Sequence, residues 1–456
     1  MEEEPKIFQM SDQDLKQLLE SHLSIKTLEK DHFGEVMTPL SLIDEMLDAL
    51  PSDVWLNPDL KWLDPAAGIG NFPIMIYQRL FHSLKNKIPN DQERKKHIVK
   101  NMLYMVEINP QNVKEARRIF GPDAHISLAD FLNDPDKWRA DFANSFTKDP
   151  ELSRSPTLTF GSWLAPTGGD AFGGGGFDII LGNPPFQKTK NATYDGGAGK
   201  RTLWDKFMMA AIEGSLLKEG GYLAFLTPAG WRRPKNSLYD LATRQNKLLY
   251  LHVYGKSDGK RLFGVGTRFD IYVIVKGTQG TQSNPTIIDE LGQTHKNINV
   301  VEWPFLPNYN FDNIRKILVD PKKKKGINVI FSSSDNDARK LSKEKTDAFQ
   351  YPIVHGITQK GLGLRYASRK NEDQFGVPKV LLNFNERQYP YNDFAGEYGM
   401  SQLTFGIPIQ TQLEGEQWIR TINSSFFQEI IRATKWGTFQ TDYRMFRYFD
   451  SELYKK

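Results

Sequence analysis

Near the start of the chain, apolar positions recur at helical spacing: Leu15, Leu18, Leu19 and Leu23 follow Ser11, and Asp14 stands three residues after that serine. A serine with an acidic residue at this offset is a reciprocal capping pair, so residues 11–29 predict one amphipathic helix. A second begins at Thr38-Pro39, with threonine placed to cap and proline at the first helical position. Its apolar face runs through Leu42, Ile43, Met46, Leu47 and Leu50 to Pro51. From Lys61 the period changes. Short apolar runs at residues 62–63, 102–106 and 124–128 alternate with helical stretches at 72–84 and 110–120. Alternation of this kind predicts a parallel sheet with crossover helices. Further strands are expected at 177–181, 222–226, 248–253 and 271–275, with a helix at 204–217. The fold class is therefore α/β, a Rossmann-like doubly wound sheet ending near Gly277.

Two segments interrupt this pattern and read as insertions at the rim of the sheet. Residues 85–100 are polar and basic, and residues 133–176 carry Pro135, Pro150, Pro156, Pro166 and a run of four glycines from Gly173. A Gly- and Ser-containing linker at 277–284 precedes a region that is irregular, aromatic-rich and full of turn residues. Three parts follow: an N-terminal helical segment (1–32), a main domain (33–280) and a C-terminal α+β domain (281–456).

Composition sharpens the division. The chain has 59 Lys and Arg against 55 Asp and Glu, a net charge of +4. The first 280 residues hold 35 of each sign, and residues 281–456 hold 24 basic and 20 acidic, so the whole excess lies in the second part. There is no cysteine, which excludes disulfides, thiolate metal sites and cysteine nucleophiles and fits a reducing, cytoplasmic setting. No run approaches the roughly 18 apolar residues of a membrane span, and the acidic start is unlike a signal peptide.

The chemistry is written at predicted strand ends. Asp64-Pro65-Ala66-Ala67-Gly68-Ile69-Gly70-Asn71-Phe72 follows one strand and opens a helix. Gly68 and Gly70 allow a tight turn and close approach of a ligand, while the Asp64 carboxylate would repel a pyrophosphate. A ligand with a cationic amino-acid end, such as S-adenosylmethionine, is favoured. Glu107 ends the next strand, where an acidic residue accepts from ribose hydroxyls. Asp130, beside Phe131, ends the third and could accept from an adenine amine while the aromatic covers the ring. Asn183-Pro184-Pro185-Phe186 follows the strand at 177–181. The Asn183 side-chain oxygen and the Pro184 carbonyl can converge on one NH2 group, localising its lone pair, with Phe186 stacked on the ring that bears it.

In this order the motifs resemble the gamma-class DNA adenine-N6 methyltransferases with the NPP[FY] signature, of the Eco57I-like and TaqI-like kind. Phe33-Gly34-Glu35-Val36-Met37-Thr38-Pro39 looks like the family's leading element, and Arg261-Leu262-Phe263-Gly264-Val265-Gly266-Thr267 like the element that supplies a second base-stacking aromatic. The resemblance implies the S-adenosylmethionine-dependent methyltransferase fold, with 281–456 as a target-recognition domain for double-stranded DNA. It implies Asn183, Pro184, Pro185 and Phe186 as catalytic residues, and Phe186 and Phe263 as the stack on a flipped adenine. Thr38, Asp64, Pro65, Gly68, Gly70, Phe72, Glu107, Ile108, Asp130, Phe131 and Asn183 would line the cofactor S-adenosylmethionine, with no metal. Thr38 would lie by its methionine carboxylate. A cognate restriction endonuclease, a monomer or weak dimer, and a bacterial or virus-encoded cytoplasmic enzyme complete the implied setting. RNA-base and protein-glutamine methylation remain alternatives, since the tetrapeptide serves side-chain amides too, and so does a catalytically silent DNA-binding module.

Other signals carry less. Gly199-Lys200 lacks the first glycine and the Ser/Thr of a P-loop. The basic segment 188–201 is expected either to close over nucleic acid or to form a polar loop. Glycines 173–176 read as a tether, and Asp91, Glu93, Arg94 and Lys95 as a solvated basic loop. Lys322 to Lys325 are phosphate contacts or a solvated run. Tyr389, Tyr391, Trp436, Arg444 and Arg447 are candidates for base readout.

Overall fold

A computed structural model describes residues 5–26, 37–147, 176–187, 202–277, 283–331, 340–385, 387–437 and 441–455. The chain forms two compact units. The first comprises Met1–Pro228, Asp240–Ile288 and Gly292–Val301, the second Ala229–Tyr239, Asp289–Leu291 and Glu302–Lys456.

The first unit opens with α1 (Lys6–Gln9) and α2 (Asp12–Lys26). Ser11 and Asp14 form the expected pair: the Ser11 N–H donates to Asp14 Oδ2 at 2.9 Å and the Asp14 N–H to Ser11 Oγ at 3.2 Å. In α3 (Leu40–Asp48) the cap is Pro39, so the expected capping by Thr38 does not occur. Leu42, Ile43, Met46 and Leu47 of this helix are buried in the main core.

Nine strands form one sheet: β1 (Trp62–Asp64), β2 (Leu103–Glu107), β3 (His125–Leu128), β4 (Phe177–Gly182), β5 (Leu217–Pro228), β6 (Lys247–Tyr254), β7 (Phe269–Val275), β8 (Thr286–Ile288) and β9 (Thr294–His295). Their order is β3-β2-β1-β4-β5-β7-β6-β8-β9. β1 pairs in parallel with both β2 and β4, and β7 runs antiparallel to β5 and β6. Since β1, β2 and β4 are covered on both faces, their apolar runs are nearly continuous instead of alternating. Strand order reverses at β1, which opens a crevice at the carboxyl ends of β1 and β4. The helices of this unit that follow are α4 (Asn71–Ser83), α5 (Asp91–His97), α6 (Pro110–Phe120), α7 (Pro135–Thr147), α8 (Trp204–Ile212) and α9 (Lys256–Phe263).

Three expectations are corrected here. The sheet does not end near Gly277: β8 and β9 extend it, and such short strands are recognisable only by their pairing. Helix α8 stops at Ile212, and Leu217 already belongs to β5. Residues 91–97 are a helix capped by the Asn90 side chain, not a solvated loop. Arg94 is 2% exposed there, donating to the Ile88 carbonyl at 2.6 Å and to Asp91 Oδ1 at 2.6 Å, with its guanidinium 4.3 Å from the Phe81 ring centroid. A guanidinium can be buried when carbonyls, a carboxylate and a ring face take up its donors and charge.

In the second unit α10 (Phe311–Ile317), α11 (Gln412–Asn423) and α12 (Ser425–Ala433) accompany two three-stranded sheets. One contains β10 (Tyr351–Thr358), β11 (Gly361–Ala367) and β14 (Gly399–Met400), the other β12 (Lys379–Asn383), β13 (Tyr391–Asp393) and β15 (Thr404–Pro408). The Lys379 ammonium is fully buried on Asp393 at 2.7 Å and also donates to the Gln374 carbonyl at 2.8 Å. Two proposed base readers are otherwise engaged. Trp436 is buried, its indole N–H donating to the Leu306 carbonyl at 2.6 Å, and Arg444 grips Asp442 through Nε at 2.8 Å and Nη2 at 2.5 Å. Tyr391 and Arg447 are exposed.

Candidate active site

β1 ends on Asp64, which the double cover of the sheet buries to 2% exposure. Its Oδ1 accepts the Ala66 N–H at 3.1 Å, and its Oδ2 is buried with no hydrogen-bond partner among the described residues. Burial pushes this carboxyl up to about 8; the Ala66 hydrogen bond opposes that rise and the nearby Glu107 charge adds to it. A carboxyl in this state is mostly neutral below that pH, and a cation placed against it would favour its ionised form.

Beyond Asp64 the chain turns through Gly68 (φ +56°) and Gly70 (φ +96°) into α4. A Cβ at Gly68 would meet nothing within 4 Å, so that position borders open space. At Gly70 a Cβ would lie 2.7 Å from the Phe120 ring, and this glycine serves packing as well as turning. Phe72 is buried in the core behind the loop. The Gly68 N–H donates to Glu107 Oε2 at 2.7 Å, and the Asn109 N–H to Oε1 at 2.7 Å. Glu107 therefore holds the glycine loop in place, and its Oε1 also accepts from Asn112 Nδ2 at 3.4 Å. Next to it Ile108 is 64% exposed, an apolar side chain offered to solvent at a strand end.

Asp130 closes its own turn, Oδ1 accepting the N–H groups of Leu132 and Asn133, each at 3.0 Å. Phe131 departs from expectation. Its ring is buried, lying nearly parallel to Phe207 at 5.1 Å and to Trp138 at 5.6 Å, and packing leaves it no face for a ligand. The apolar group that the sequence reading missed is Leu128, exposed and in register with Glu107 on the neighbouring strand. Its signal was only that it ends an otherwise buried strand.

After β4, Gly182 (φ +156°) brings the chain past Asp64: a Cβ there would lie 2.8 Å from Asp64 Oδ1. Gly182→Ala is expected to cost about 1–3 kcal/mol of stability and to displace the Asp64 carboxyl, measurable by denaturant unfolding and by cofactor titration. Asn183 follows. Its Nδ2 donates to Thr38 Oγ1 at 3.0 Å, while its Oδ1 is buried without a partner among the described residues. Pro184 is buried, Pro185 exposed and Phe186 half-buried against the core. Gln187 pairs with Thr202 as an antiparallel bridge, and the Leu203 N–H donates to the Phe186 carbonyl at 3.2 Å. The residues that flank segment 188–201 are thus paired just after the Asn183–Phe186 tetrapeptide; the segment itself lies outside the described residues.

The second expected stacking aromatic, Phe263, is 3% exposed and stands edge-on to Phe269 at 5.0 Å. It ends α9 facing the core, because Gly264 at φ +72° reverses the chain just beyond it. Phe186 is the member of that pair with accessible surface. Asn71, which the sequence reading passed over, is buried at the start of α4 with its Oδ1 unpartnered among the described residues. In sum, direct hydrogen bonds join Asn183 to Thr38 and Gly68 to Glu107, Gly182 lies against Asp64, and Phe131 and Phe263 are buried among other rings.

Residues 92–258 match the family described as Eco57I restriction-modification methylase. A curated relative from Mycoplasma pneumoniae, an uncharacterized adenine-specific methylase, is 27% identical over 248 residues, covering 45% of this chain and 58% of the relative. The chain thus spans just over half the length of that relative. Among solved structures, the DrdV–DNA complex aligns with 97% of this chain and 59% of its own, at 10% identity and a TM-score of 0.49. The type IIL restriction-modification enzyme MmeI in complex with DNA aligns with 97% and 66%, at 13% identity and a TM-score of 0.46.

Proposed function

We propose that the chain, whose residues 92–258 match the Eco57I restriction-modification methylase family, is a site-specific DNA methyltransferase acting on N6 of adenine. Its methyl donor is S-adenosylmethionine. The observation that carries the reading is Asn183: a buried, unpartnered carbonyl oxygen at the switch-point crevice, on a side chain whose other end is already engaged.

The donor set fits the cofactor. The orphaned Asp64 Oδ2 takes the amino group, Glu107 the ribose hydroxyls and Asp130 the adenine amine, with Ile108 and Leu128 as apolar cover. When bound, the cofactor supplies an electrophilic methyl group on a cationic sulfur. A base inside a duplex is out of reach of a concave site, so the adenine is flipped out at a cost of a few kcal/mol. Phe186 stacks on it. Asn183 Oδ1 and the Pro184 carbonyl accept the two amine hydrogens and localise the nitrogen lone pair. The surplus proton leaves after transfer, and no strong general base is needed. A cognate endonuclease and a bacterial or virus-encoded cytoplasmic setting belong to the same proposal. Among the described residues no helix is long and apolar enough to cross a membrane.

Incubation with labelled S-adenosylmethionine and DNA, RNA or protein tests this: label is expected in DNA, as N6-methyladenine. Label confined to RNA or to protein glutamine overturns it.

The second unit offers a DNA contact. β10 pairs with β14 only at Ile353 and Val354, so the rest of the β10–β11 ribbon runs past its sheet. His355, Lys360 and Arg365 line a cavity of about 350 Å³ there, whose wall contains no acidic residue. A two-stranded ribbon fits the major groove, and cations along it neutralise phosphates. Replacing Lys360 and Arg365 together by alanine is expected to weaken DNA binding roughly tenfold and to lower the salt slope of log K by about 2. Titrations between low and moderate salt check this, and an unchanged slope removes the ribbon from the DNA interface.

A further inference from the structure

Residues 281–456 hold the chain's whole cationic excess, and Lys322 to Lys325, Arg444 and Arg447 belong to it. Backbone pairing in the second unit brings these two stretches together. The Val319 N–H donates to the Tyr448 carbonyl at 2.7 Å and the Asp450 N–H to the Ile317 carbonyl at 2.9 Å. On the other side the Ile327 N–H donates to the Phe449 carbonyl at 3.0 Å, and Gly326 bridges Asp450. Residues 320–325 are therefore a loop whose two ends are clasped by one segment. Gly326 permits the close approach, since a Cβ there would overlap the Arg447 carbonyl oxygen.

Within the loop the Asp320 carbonyl accepts the N–H groups of Lys323 and Lys324 at 2.9 Å each, and its Oδ1 accepts the Lys322 N–H at 3.0 Å. The Lys324 ammonium is tied to the buried Asp450 at 3.0 Å. Lysines in a row repel one another, and a run that served only as a solvated linker would be free to splay. This one is held in a turn. Lys322, Lys323 and Lys325 are exposed and have no side-chain hydrogen bond or ion pair among the described residues.

The same holds for Arg447. Arg444 stands three residues before it on the short turn Tyr443–Tyr448, a 3-10 helix whose three residues per turn set both arginines on one side. Beyond Arg444 comes Arg233, half-buried against Gly437, with its Nη2 2.8 Å from where a Cβ of that glycine would stand. Burial holds the Arg233 guanidinium below its ordinary value; Asp442 opposes that fall and Arg444 adds to it. The acids along this row are already engaged: Asp442 by Arg444, Asp450 by Lys324, Glu452 by Lys455 and Asp320 by the loop's own N–H groups.

We infer that Lys322, Lys323, Lys325, Arg447 and Arg233 form one basic band that grips the phosphodiester backbone of DNA. A polyanion laid along it relieves the repulsion among these cations and gives up its own counterions. Such contacts fix the position of the protein on the duplex without reading sequence, so Arg447 meets phosphate and not a base edge. The inference rests on the reading of the chain as a DNA methyltransferase.

The test measures binding of the full chain to two labelled duplexes of unrelated sequence over a range of KCl concentrations. Combining Lys322→Gln, Lys323→Gln and Lys325→Gln is expected to lower the salt slope of log K by about 3 and the affinity at moderate salt by roughly 10- to 100-fold, equally on both duplexes. Arg447→Gln removes about one more unit of slope. The three lysines changed to arginine keep the parent slope, and cofactor Kd and thermal unfolding stay unchanged throughout. An unchanged slope in the triple glutamine variant, or a loss on one duplex only, overturns the band. A parent chain whose duplex binding does not vary with salt defeats the underlying reading instead, which keeps the two failures apart.

Discussion

Asn183→Ala is expected to reduce methyl transfer by roughly 10³-fold while leaving cofactor affinity near that of the parent chain. The size follows from what is removed. Asn183 Oδ1 is one of two preorganised acceptors for the target amine, buried where water does not compensate for it, and deleting one such group from a comparable site costs about 10²–10³ in rate. Loss of Asn183 also strips the buried Thr38 hydroxyl of its partner, which enlarges the effect. Asn183→Asp keeps an acceptor oxygen, and its activity should lie between the two. Single-turnover transfer from labelled cofactor to DNA measures the step directly. Turnover within tenfold of the parent chain removes Asn183 from the chemistry.

The next largest effect belongs to Asp64 and is a matter of pH. Its carboxyl is pushed up to about 8, chiefly by burial, so below that value it is mostly protonated. A cationic amino group needs the carboxylate, and binding therefore releases a proton. Cofactor affinity should rise as pH increases from 6 toward 8, by up to about tenfold per unit, and fall again above, where the amino group itself loses its proton. Asp64→Asn should abolish that slope and weaken binding at pH 8 by roughly 10²-fold, since a charge-assisted bond is lost. Stability runs the other way. The folded-state value lies above the ordinary 3.8, so the contribution of protonated Asp64 is complete below about pH 4 and is lost as pH rises through about 8. The cofactor-free protein should lose stability across that window, and Asp64→Asn should lose less. Calorimetric titrations at several pH values, with unfolding curves alongside, separate the two trends. A flat affinity profile rules out Asp64 as the counter-ion.

Much of this site is legible in sequence because each element is local. A strand that ends on an acid, two glycines that must turn, and a proline pair after the next strand announce themselves within ten residues, and parallel pairing then places Asp64, Glu107 and Asn183 at one edge. The Eco57I-type resemblance drawn from those motifs is matched over residues 92–258. Aromatics were harder to read. Phe131 and Phe263 each sit beside a motif residue, yet side-chain direction depends on the packing around it. Phe207 and Trp138 enclose the first, and Phe269 meets the second edge-on. Arg94 was misread for a related reason: its charge suggests solvent, but the Phe81 ring and the Ile88 carbonyl that take it in are fixed only by the folded chain.

Hydrophobic periodicity by itself determined the α/β class, the main strands and helices and the order of the chemical motifs, because these follow from the repeats of a helix and a strand along a continuous chain. It ended the sheet too early, since β8 and β9 are strands only by virtue of the partners they find. It also gave no sign of the contact between Thr38 and Asn183. The Thr38–Asn183 bond spans 145 positions, and the bonds that join Glu45 to Tyr250 and His252 span more than 200. No local pattern encodes contacts over such separations. They form only when the chain closes on itself and the sheet brings distant segments side by side.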